Sequence, residues 1–291
     1  MNPLAKITPD STKIFEFTAR DFARVRALIY KQAGISLGEG KQEMVYSRLA
    51  RRLRAKGISS FVEYLDRLES GVDGEEWEAF TNALTTNLTA FFREAHHFPL
   101  LAEHMLRAKG TLSIWCSAAS TGEEPYSIAM TVCEAFGTLK PPVSIIATDI
   151  DTNVLETAAN GVYTMDRLDK MEPDRIKRFF QRGKQGQAGL VRVRSELREL
   201  ITFKPLNLLA PAWSVGGPFD VIFCRNVMIY FDKPTQGKIL SRFAPLMKPD
   251  GLMFAGHSEN FIHVSDAFKL RGKTVYALEH GHRGPSARDS A

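Results

Sequence analysis

The segment PFDVIFCRNVMIYF, Pro218 to Phe231, limits the fold more than any other stretch of this 291-residue chain. An apolar run over Phe219–Cys224 stops abruptly at Arg225 and Asn226, and an aromatic-rich segment follows. A strand so apolar hides both faces, as strands of a parallel sheet do when helices cover either side. In open α/β sheets, ligands sit beyond the carboxyl ends of such strands. Cys224, Arg225, Asn226 and Tyr230 therefore fall where binding and chemistry belong.

From about residue 110 onward the chain alternates between strands and helices. Strands are predicted over 111–116, 143–148, 201–205, 219–224, 252–255 and 274–278, and helices over 123–136, 152–160 and 235–247. Such alternation predicts a doubly wound α/β sheet. Residues 163–200 interrupt it with a short helix at 174–180, a glycine-rich bend (Gly183, Gly186, Gly189) and a strand at 190–193, read as a small inserted β-subdomain.

The preceding part, from residue 18 to about 90, reads as helices only. Thr18 and Asp21 form a capping box, after which Phe22, Val25, Leu28 and Ile29 recur at helical spacing and Gly34 supplies a stop. A second helix is predicted over 41–56, ended by Gly57. A third carries Phe61, Tyr64, Leu65 and Leu68, and a fourth Trp77, Phe80 and Leu84. The expected organisation is a flexible N-terminus (1–16), an all-helical domain (17–86), a linker (87–109), an α/β domain (110–280) holding the insert 163–200, and a disordered tail (281–291).

Composition narrows the class. The three cysteines are dispersed and form no CxxC pair, so neither a zinc ribbon nor a disulfide framework is expected. Cys116 and Cys224 end strands, where a buried thiol serves as a small apolar residue. The N-terminal residues lack a signal-peptide pattern, and no apolar stretch approaches the roughly 20 residues that span a bilayer. A reducing cytoplasm fits these features, and no membrane insertion is expected.

The formal net charge is +5. Lys41, Arg48, Arg51, Arg52, Arg54 and Lys56, opposed by Glu43, contribute six minus one, the whole of that excess. Val45, Leu49 and Leu53 face inward on this helix, and Lys41, Arg48, Arg51 and Arg52 are predicted to line an adjacent, solvent-facing stripe. A solvated helix face is the plain alternative to a docking stripe. A nucleic-acid partner is not expected: it would call for aromatic interleaving or a recognised fold, and only Tyr46 lies in the stripe.

Several motifs fall at strand ends. WCSAASTGEEPYS, Trp115 to Ser127, joins the first strand to a helix. Its small residues, Ser117, Ala118, Ala119, Ser120 and Gly122, admit a ligand close to the backbone. The loop lacks GxGxxG and GxxxxGK[ST]. Glu123 and Glu124 would repel a pyrophosphate at the helix start, so a cationic ligand is favoured over a dinucleotide. Simple complementation of the helix dipole is the alternative role of Glu124. In IIATDID, Asp149 tips the second strand, where an acid accepts bonds from ribose hydroxyls, and Asp151 is read as the cap of the next helix. Met247–Gly251, MKPDG, reads as a turn before an apolar strand. Together with the Arg-Asn strand end, these features point to a class I methyltransferase binding S-adenosylmethionine. His96, His97 and His104 lack an evident carboxylate or cysteine partner, so no metal is expected.

The run NALTTNLTAFFREAHHF, Asn82 to Phe98, with ASTGEEPYS, ATDID, FCRNVMIYF and KPDG, closely resembles chemotaxis receptor glutamate O-methyltransferases, over roughly residues 18–280. The resemblance implies an all-helical N-terminal domain, a linker and a class I methyltransferase-like sheet with a small β-subdomain. It implies methyl transfer from S-adenosylmethionine to glutamate side chains on cytoplasmic helices of chemoreceptors, leaving S-adenosylhomocysteine. Carried over by motif, Asn87, Thr89 and Arg93 are linker residues reaching the cofactor. Ala118, Glu124 and Asp149 are loop and ribose contacts, and Asn207, Leu208, Arg225 and Asn226 are adenine-side and strand-end contacts. Tyr230 is the aromatic near the transferred methyl. A generic glycine-rich loop is replaced by CSAASTGEE, as in the resembled family.

A glutamate titrates near 4.3 and is already a nucleophile at neutral pH. The remaining task is in-line alignment of carboxylate, methyl and sulfur. Arg93 is the cation expected to guide the anion, with Tyr230 to orient it; an ion pair of Arg93 with Glu94 or Glu103 is the structural alternative. Arg48, Arg51, Arg52 and Arg54 are the expected receptor-docking residues, steering glutamate-rich helices. The subdomain 163–200 is the expected site for a receptor's C-terminal peptide, added as a strand to an exposed edge. Two other functions stay in view: a catalytically silent adaptor of the same fold, and a nicotinamide oxidoreductase, which the missing phosphate loop disfavours.

Overall fold

The computed structural model describes residues 14–71, 74–184 and 186–279. The expectations for residues 1–13 and for the tail 281–291 lie outside the described residues. Contacts divide the chain into two units, one of Met1–Gln32 with Leu37–Leu84 and the other of Ala33–Ser36 with Thr85–Ala291.

The first unit holds α1 (Ala19–Ala33), α2 (Gln42–Lys56), α3 (Phe61–Ser70) and α4 (Gly74–Leu84). The Thr18 hydroxyl accepts the Asp21 N–H at 3.2 Å, and the Asp21 carboxylate accepts the Thr18 N–H at 2.9 Å. This is the reciprocal capping expected of the pair. Gly57, at φ 63°, closes α2 in the left-handed conformation. Val25, Ile29, Val45, Leu49, Leu53, Leu65 and Phe80 are buried in this unit.

The basic stripe of α2 is not uniformly free, contrary to the expectation. Arg52 forks onto Glu76 at 3.0 and 2.6 Å, and Arg48 donates to the Ala83 carbonyl at 3.2 Å. Glu76 is buried, also accepts the Tyr64 hydroxyl at 2.7 Å, and has Lys56 3.4 Å away. Burial alone would raise its carboxyl pKa, but Arg52 and Tyr64 hold it below the ordinary value. An acid buried on α4 needs cations, and Arg52 is the arginine of α2 within its reach. Arg51 and Arg54 stay exposed.

The second unit begins with α5 (His97–Arg107), β1 (Leu112–Cys116), α6 (Glu123–Ala135), β2 (Val143–Asp149) and α7 (Thr152–Asn160). There follow β3 (Val162–Thr164), α8 (Pro173–Phe179), β4 (Phe180–Arg182), β5 (Leu190–Val193), α9 (Ser195–Glu199) and β6 (Ile201–Pro205). The chain continues through β7 (Phe219–Cys224), α10 (Lys233–Phe243), β8 (Met247–Ala255), β9 (Phe268–Gly272) and β10 (Val275–Leu278).

Seven strands make one sheet in the order β6-β2-β1-β7-β8-β10-β9, and β3-β5-β4 make a second, small antiparallel sheet. Strands β6, β2, β1, β7 and β8 are parallel, and β10 is antiparallel to both of its neighbours. Chain order runs outward from β1 through β2 to β6 in one direction and from β7 to β8 in the other. Their carboxyl ends are therefore the switch point where α/β sheets bind ligands.

Every residue of β7 is buried. Alternate side chains enter two cores: Val221 and Phe223 pack with Ile114, Cys116 and Phe254, whereas Ile222 and Cys224 pack with Trp115, Phe243 and Met253. That division follows from the two-residue period of a strand covered on both faces.

Helix α5 lies within the segment expected as a linker. Three sequence expectations need correction. The MKPDG segment is part of β8: Met247 pairs with Phe219 and Leu252 with Val221, so the intervening residues bulge out of the ladder. Helix α10 spans Lys233–Phe243 instead of 235–247: Asp232 caps it by accepting the Thr235 N–H at 2.9 Å, and Pro245 cannot continue it. The small sheet has two short strands, β3 and β4, beyond the one predicted.

Candidate cofactor and active site

Arg225, just past β7, organises the strand ends. Its guanidinium donates to Glu124 Oε2 at 2.6 Å and to the Arg93 carbonyl at 2.6 Å, with Glu94 Oε2 3.5 Å away. It is buried (3% exposed), so the acids beside it are needed to stabilise its charge. Glu124, in the first turn of α6, also accepts the Cys116 thiol at 3.4 Å. Burial raises the Glu124 carboxyl pKa and Arg225 opposes the rise. The same burial pushes the Cys116 and Cys224 thiols up, in keeping with inert packing roles.

The two acids at the start of α6 have different duties, which the sequence did not distinguish. Glu124 faces the strand ends, whereas buried Glu123 is held by Arg167 and by the Thr121 hydroxyl at 2.6 Å. Arg167 also reaches the Thr89 carbonyl at 3.3 Å. Gly122, at φ 99°, precedes them, and a Cβ there would lie 2.7 Å from the Tyr163 hydroxyl, so the turn requires glycine.

Asp149 ends β2. Its carboxylate accepts the Ser120 N–H at 2.8 Å and the Asp151 N–H at 3.0 Å. Burial pushes its pKa up to about 6 against those two amides. Ser120 takes φ 48° and donates its hydroxyl to the Asn87 carbonyl at 3.0 Å. Asp151 caps α7 as anticipated, accepting from the Asn153 and Val154 amides. It accepts in addition the Thr85 hydroxyl and the Asn87 amide, each at 2.7 Å. The Asn87 side chain, read as a cofactor contact, is thus anchored to Asp151: a buried acid two residues from Asp149 draws in the nearest donor.

Ala118 and Ala119 line the loop after β1, and Ala119 donates its N–H to the Thr148 carbonyl at 2.9 Å. Leu206 donates to the Asp149 carbonyl at 2.8 Å, which sets Asn207 and Leu208 beside the tip of β2. The Asn207 side chain accepts the Leu209 N–H at 2.9 Å, and Leu208 is buried. Arg93 is half-buried, and its guanidinium donates to the Leu88 carbonyl at 3.0 Å. The neighbours Phe92 and Glu94 both have positive φ, 52° and 54°, a strained arrangement typical of functional loops.

Asn226, at φ 57°, is fixed by a residue that the sequence reading missed. Buried Glu259 accepts the N–H groups of Asn226 and Met228, each at 2.8 Å, and of Gly256 at 2.6 Å. A Cβ on Gly256 would come within 2.4 Å of Asn226 Nδ2. The Asn226 amide faces Glu94 at 3.4 Å. Tyr230 is half-buried at the end of the one-turn 3-10 helix Met228–Tyr230, and its carbonyl accepts the Ser36 N–H at 2.9 Å.

Ala118, Glu124, Asp149, Asn207, Leu208, Arg225, Asn226 and Tyr230 thus lie in or just after the carboxyl ends of the parallel strands, and Arg225 ties the Arg93 segment to them. Arg48, Arg51, Arg52 and Arg54 belong to the other unit. Glu94, named in the sequence as an alternative partner of Arg93, lies instead 3.5 Å from Arg225 and beside His97, with Nδ1 and Oε2 3.9 Å apart. The histidines do have a carboxylate neighbour.

The donor set suits S-adenosylmethionine. Arg225 Nε is buried without a hydrogen-bond partner, small residues line the loop, and two carboxylates offset a cationic ligand. Sheet order and donors define a methyltransferase that uses S-adenosylmethionine, and residues 87–277 match the family model described as CheR methyltransferase, SAM binding domain. Residues 20–85 match that described as CheR methyltransferase, all-alpha domain. A chemotaxis protein methyltransferase of Escherichia coli is 58% identical over 257 residues, covering 88% of this chain and 90% of that protein. A Klebsiella aerogenes protein of the same name is 59% identical over 257 residues, covering 88% and 89%. Chemotaxis protein methyltransferase 2 of Pseudomonas aeruginosa is 54% identical over 266 residues, covering 90% and 94%. The chain belongs to the CheR methyltransferase family. Among the described residues no helix is long and apolar enough to cross a membrane.

Proposed function

We propose that this methyltransferase esterifies glutamate side chains on cytoplasmic helices of chemoreceptors. The cluster in which Arg225 joins Glu124 to the Arg93 carbonyl carries the reading. It ties the loop after β1, the end of β7 and the segment bearing Arg93 into one arrangement at the switch point. S-adenosylmethionine supplies an electrophilic methyl on a sulfonium. Glu124 and Asp149 favour that cation, and Asp149 takes the ribose hydroxyls. The nucleophile is ionised at neutral pH and needs no base. Arg93 guides the incoming carboxylate, and its half-exposed guanidinium, held by the Leu88 carbonyl, avoids over-stabilising the ground state. Tyr230 orients the carboxylate. Thr89, Asn207, Leu208 and Asn226 complete the cofactor contacts, with Asn87 acting through Asp151.

Arg51 and Arg54 offer the exposed charge for steering acidic helices in the cytoplasm. The small sheet leaves β3 and β4 as edges, and Val162 on β3 is 38% exposed. A receptor C-terminal peptide adds there as a further strand.

Radiolabelled methyl transfer to a panel of receptor cytoplasmic fragments tests the reading. The label should be released as methanol by mild alkali, as a methyl ester requires. Label stable to alkali, or none transferred, would refute it. Arg93→Ala and Tyr230→Phe should each lower kcat at least about tenfold, the scale of a lost positioning contact. Unchanged rates would remove both roles. Calorimetry with receptor tail peptides checks the edge-strand site.

A further inference from the structure

We propose that Glu94, His96 and His97 form a binding site for a divalent ion of the zinc class. Their candidate ligand atoms all lie within 4.8 Å of one another. His97 is fully buried, and its Nε2 faces the Lys273 carbonyl at 2.9 Å. A carbonyl only accepts, so the ring proton sits on Nε2 and Nδ1 presents a lone pair.

That Nδ1 has no hydrogen-bond partner, and neither has Glu94 Oε2, 3.9 Å away. The His97 Nδ1 lone pair therefore faces an acceptor, with the Arg225 guanidinium 3.5 Å from Glu94 Oε2 on its other side. A histidine whose far nitrogen donates to a backbone carbonyl, with the near one bare, has the arrangement of a metal-bound imidazole. His96 supplies the third donor: it is exposed, its ring centroid lies 4.2 Å from that of His97, and it can turn to close the site.

Two imidazoles and a carboxylate, with a fourth position open, are a zinc donor set. Zinc–ligand distances of about 2.0 Å place tetrahedral donors about 3.3 Å apart, so His97 and Glu94 must close by about 0.6 Å and a pair at the 4.8 Å limit by about 1.5 Å, the exposed His96 supplying most of the movement. His257 Nδ1, 3.4 Å from Glu94 Oε1, stands next to the open position. Arg225 is the opposing charge at 3.5 Å and pairs more closely with Glu124 at 2.6 Å, so a bound cation shares the Glu94 carboxylate with the guanidinium.

Zinc titration of the full chain by calorimetry tests the site. His280 and His282 are replaced by alanine throughout, so that the terminal histidines do not contribute. One equivalent should bind, and His96→Ala should weaken binding at least about tenfold. Cobalt should give the intense visible bands of a tetrahedral site, lost in both His96→Ala and His97→Gln. Unchanged S-adenosylhomocysteine affinity in His96→Ala shows that the variant is folded. Failure to bind zinc, equal binding by His96→Ala, or cobalt bands that survive that substitution would overturn the proposal.

Discussion

Asp149 has its carboxyl pKa pushed up to about 6 by burial, while the Ser120 and Asp151 amides favour its charged form. The sign of the consequence is fixed. Folded protein keeps this proton where an unfolded chain has lost it, so the group's contribution to stability is complete below pH about 4 and is lost as pH rises through about 6. If Asp149 holds the ribose as proposed, ligand binding runs the other way, because ribose hydroxyls donate to the charged form. Affinity for S-adenosylhomocysteine should rise about tenfold per pH unit below 6 and level off above it. Asp149→Asn should abolish that step, as calorimetry from pH 5 to 8 would show. Asp149 could be read in the sequence because an acid at the tip of the second strand is a local pattern. Glu259 could not: its three amide partners include Asn226 and Met228, 33 and 31 residues away, and only the sheet brings them together. Replacing it by Gln sets an NH₂ against one of those donors, at a cost of about 1–3 kcal/mol. A lower melting temperature, with weaker S-adenosylhomocysteine binding as Asn226 shifts, is the expected result. A variant with unchanged affinity would leave Glu259 a structural residue alone.

At the scale of elements, local chemistry announced some segments and left others silent. Strand β7 matched its expectation to the residue because a wholly buried strand has no polar positions to confuse its limits. Helix α1 declared its start through Thr18 and Asp21. Helix α5 starts at His96, whose side chain makes no capping bond, so only Phe98, Leu101 and Met105 at helical spacing marked it. Strand β9 has one buried residue in five and no alternation to read. Helix α2 shows the limit of periodicity differently. Angular spacing grouped Arg48, Arg51 and Arg52, and only α4, with its buried Glu76, separates them. Arg52→Ala should therefore destabilise the protein by about 1–2 kcal/mol, less than a fully buried pair because Lys56 remains near Glu76 and Arg52 is partly solvated. Arg51→Ala should shift stability by under about 0.5 kcal/mol. Urea denaturation of the two variants gives the comparison, and equal losses would mean that the Arg52–Glu76 fork does not hold α2 to α4.

For the whole molecule, what matters is where the charge is free. The excess of +5 falls between residues 41 and 56. Arg52 and Lys56 already neighbour Glu76, at 2.6 and 3.4 Å. On the proposed function, Arg51 and Arg54, both exposed, set the field that an acidic substrate meets on approach. A field of exposed charges is screened within about 8–10 Å at physiological salt, so it acts on encounter more than on the final contacts. The methylation rate at low substrate should then fall steeply between 50 and 300 mM salt, while turnover at saturation changes little. Arg51→Glu with Arg54→Glu should raise KM severalfold at low salt, flatten its salt dependence and leave S-adenosylhomocysteine affinity unchanged, because cofactor contacts lie in the other unit. If KM keeps its original salt dependence in the double variant, the field that guides receptor helices does not come from α2.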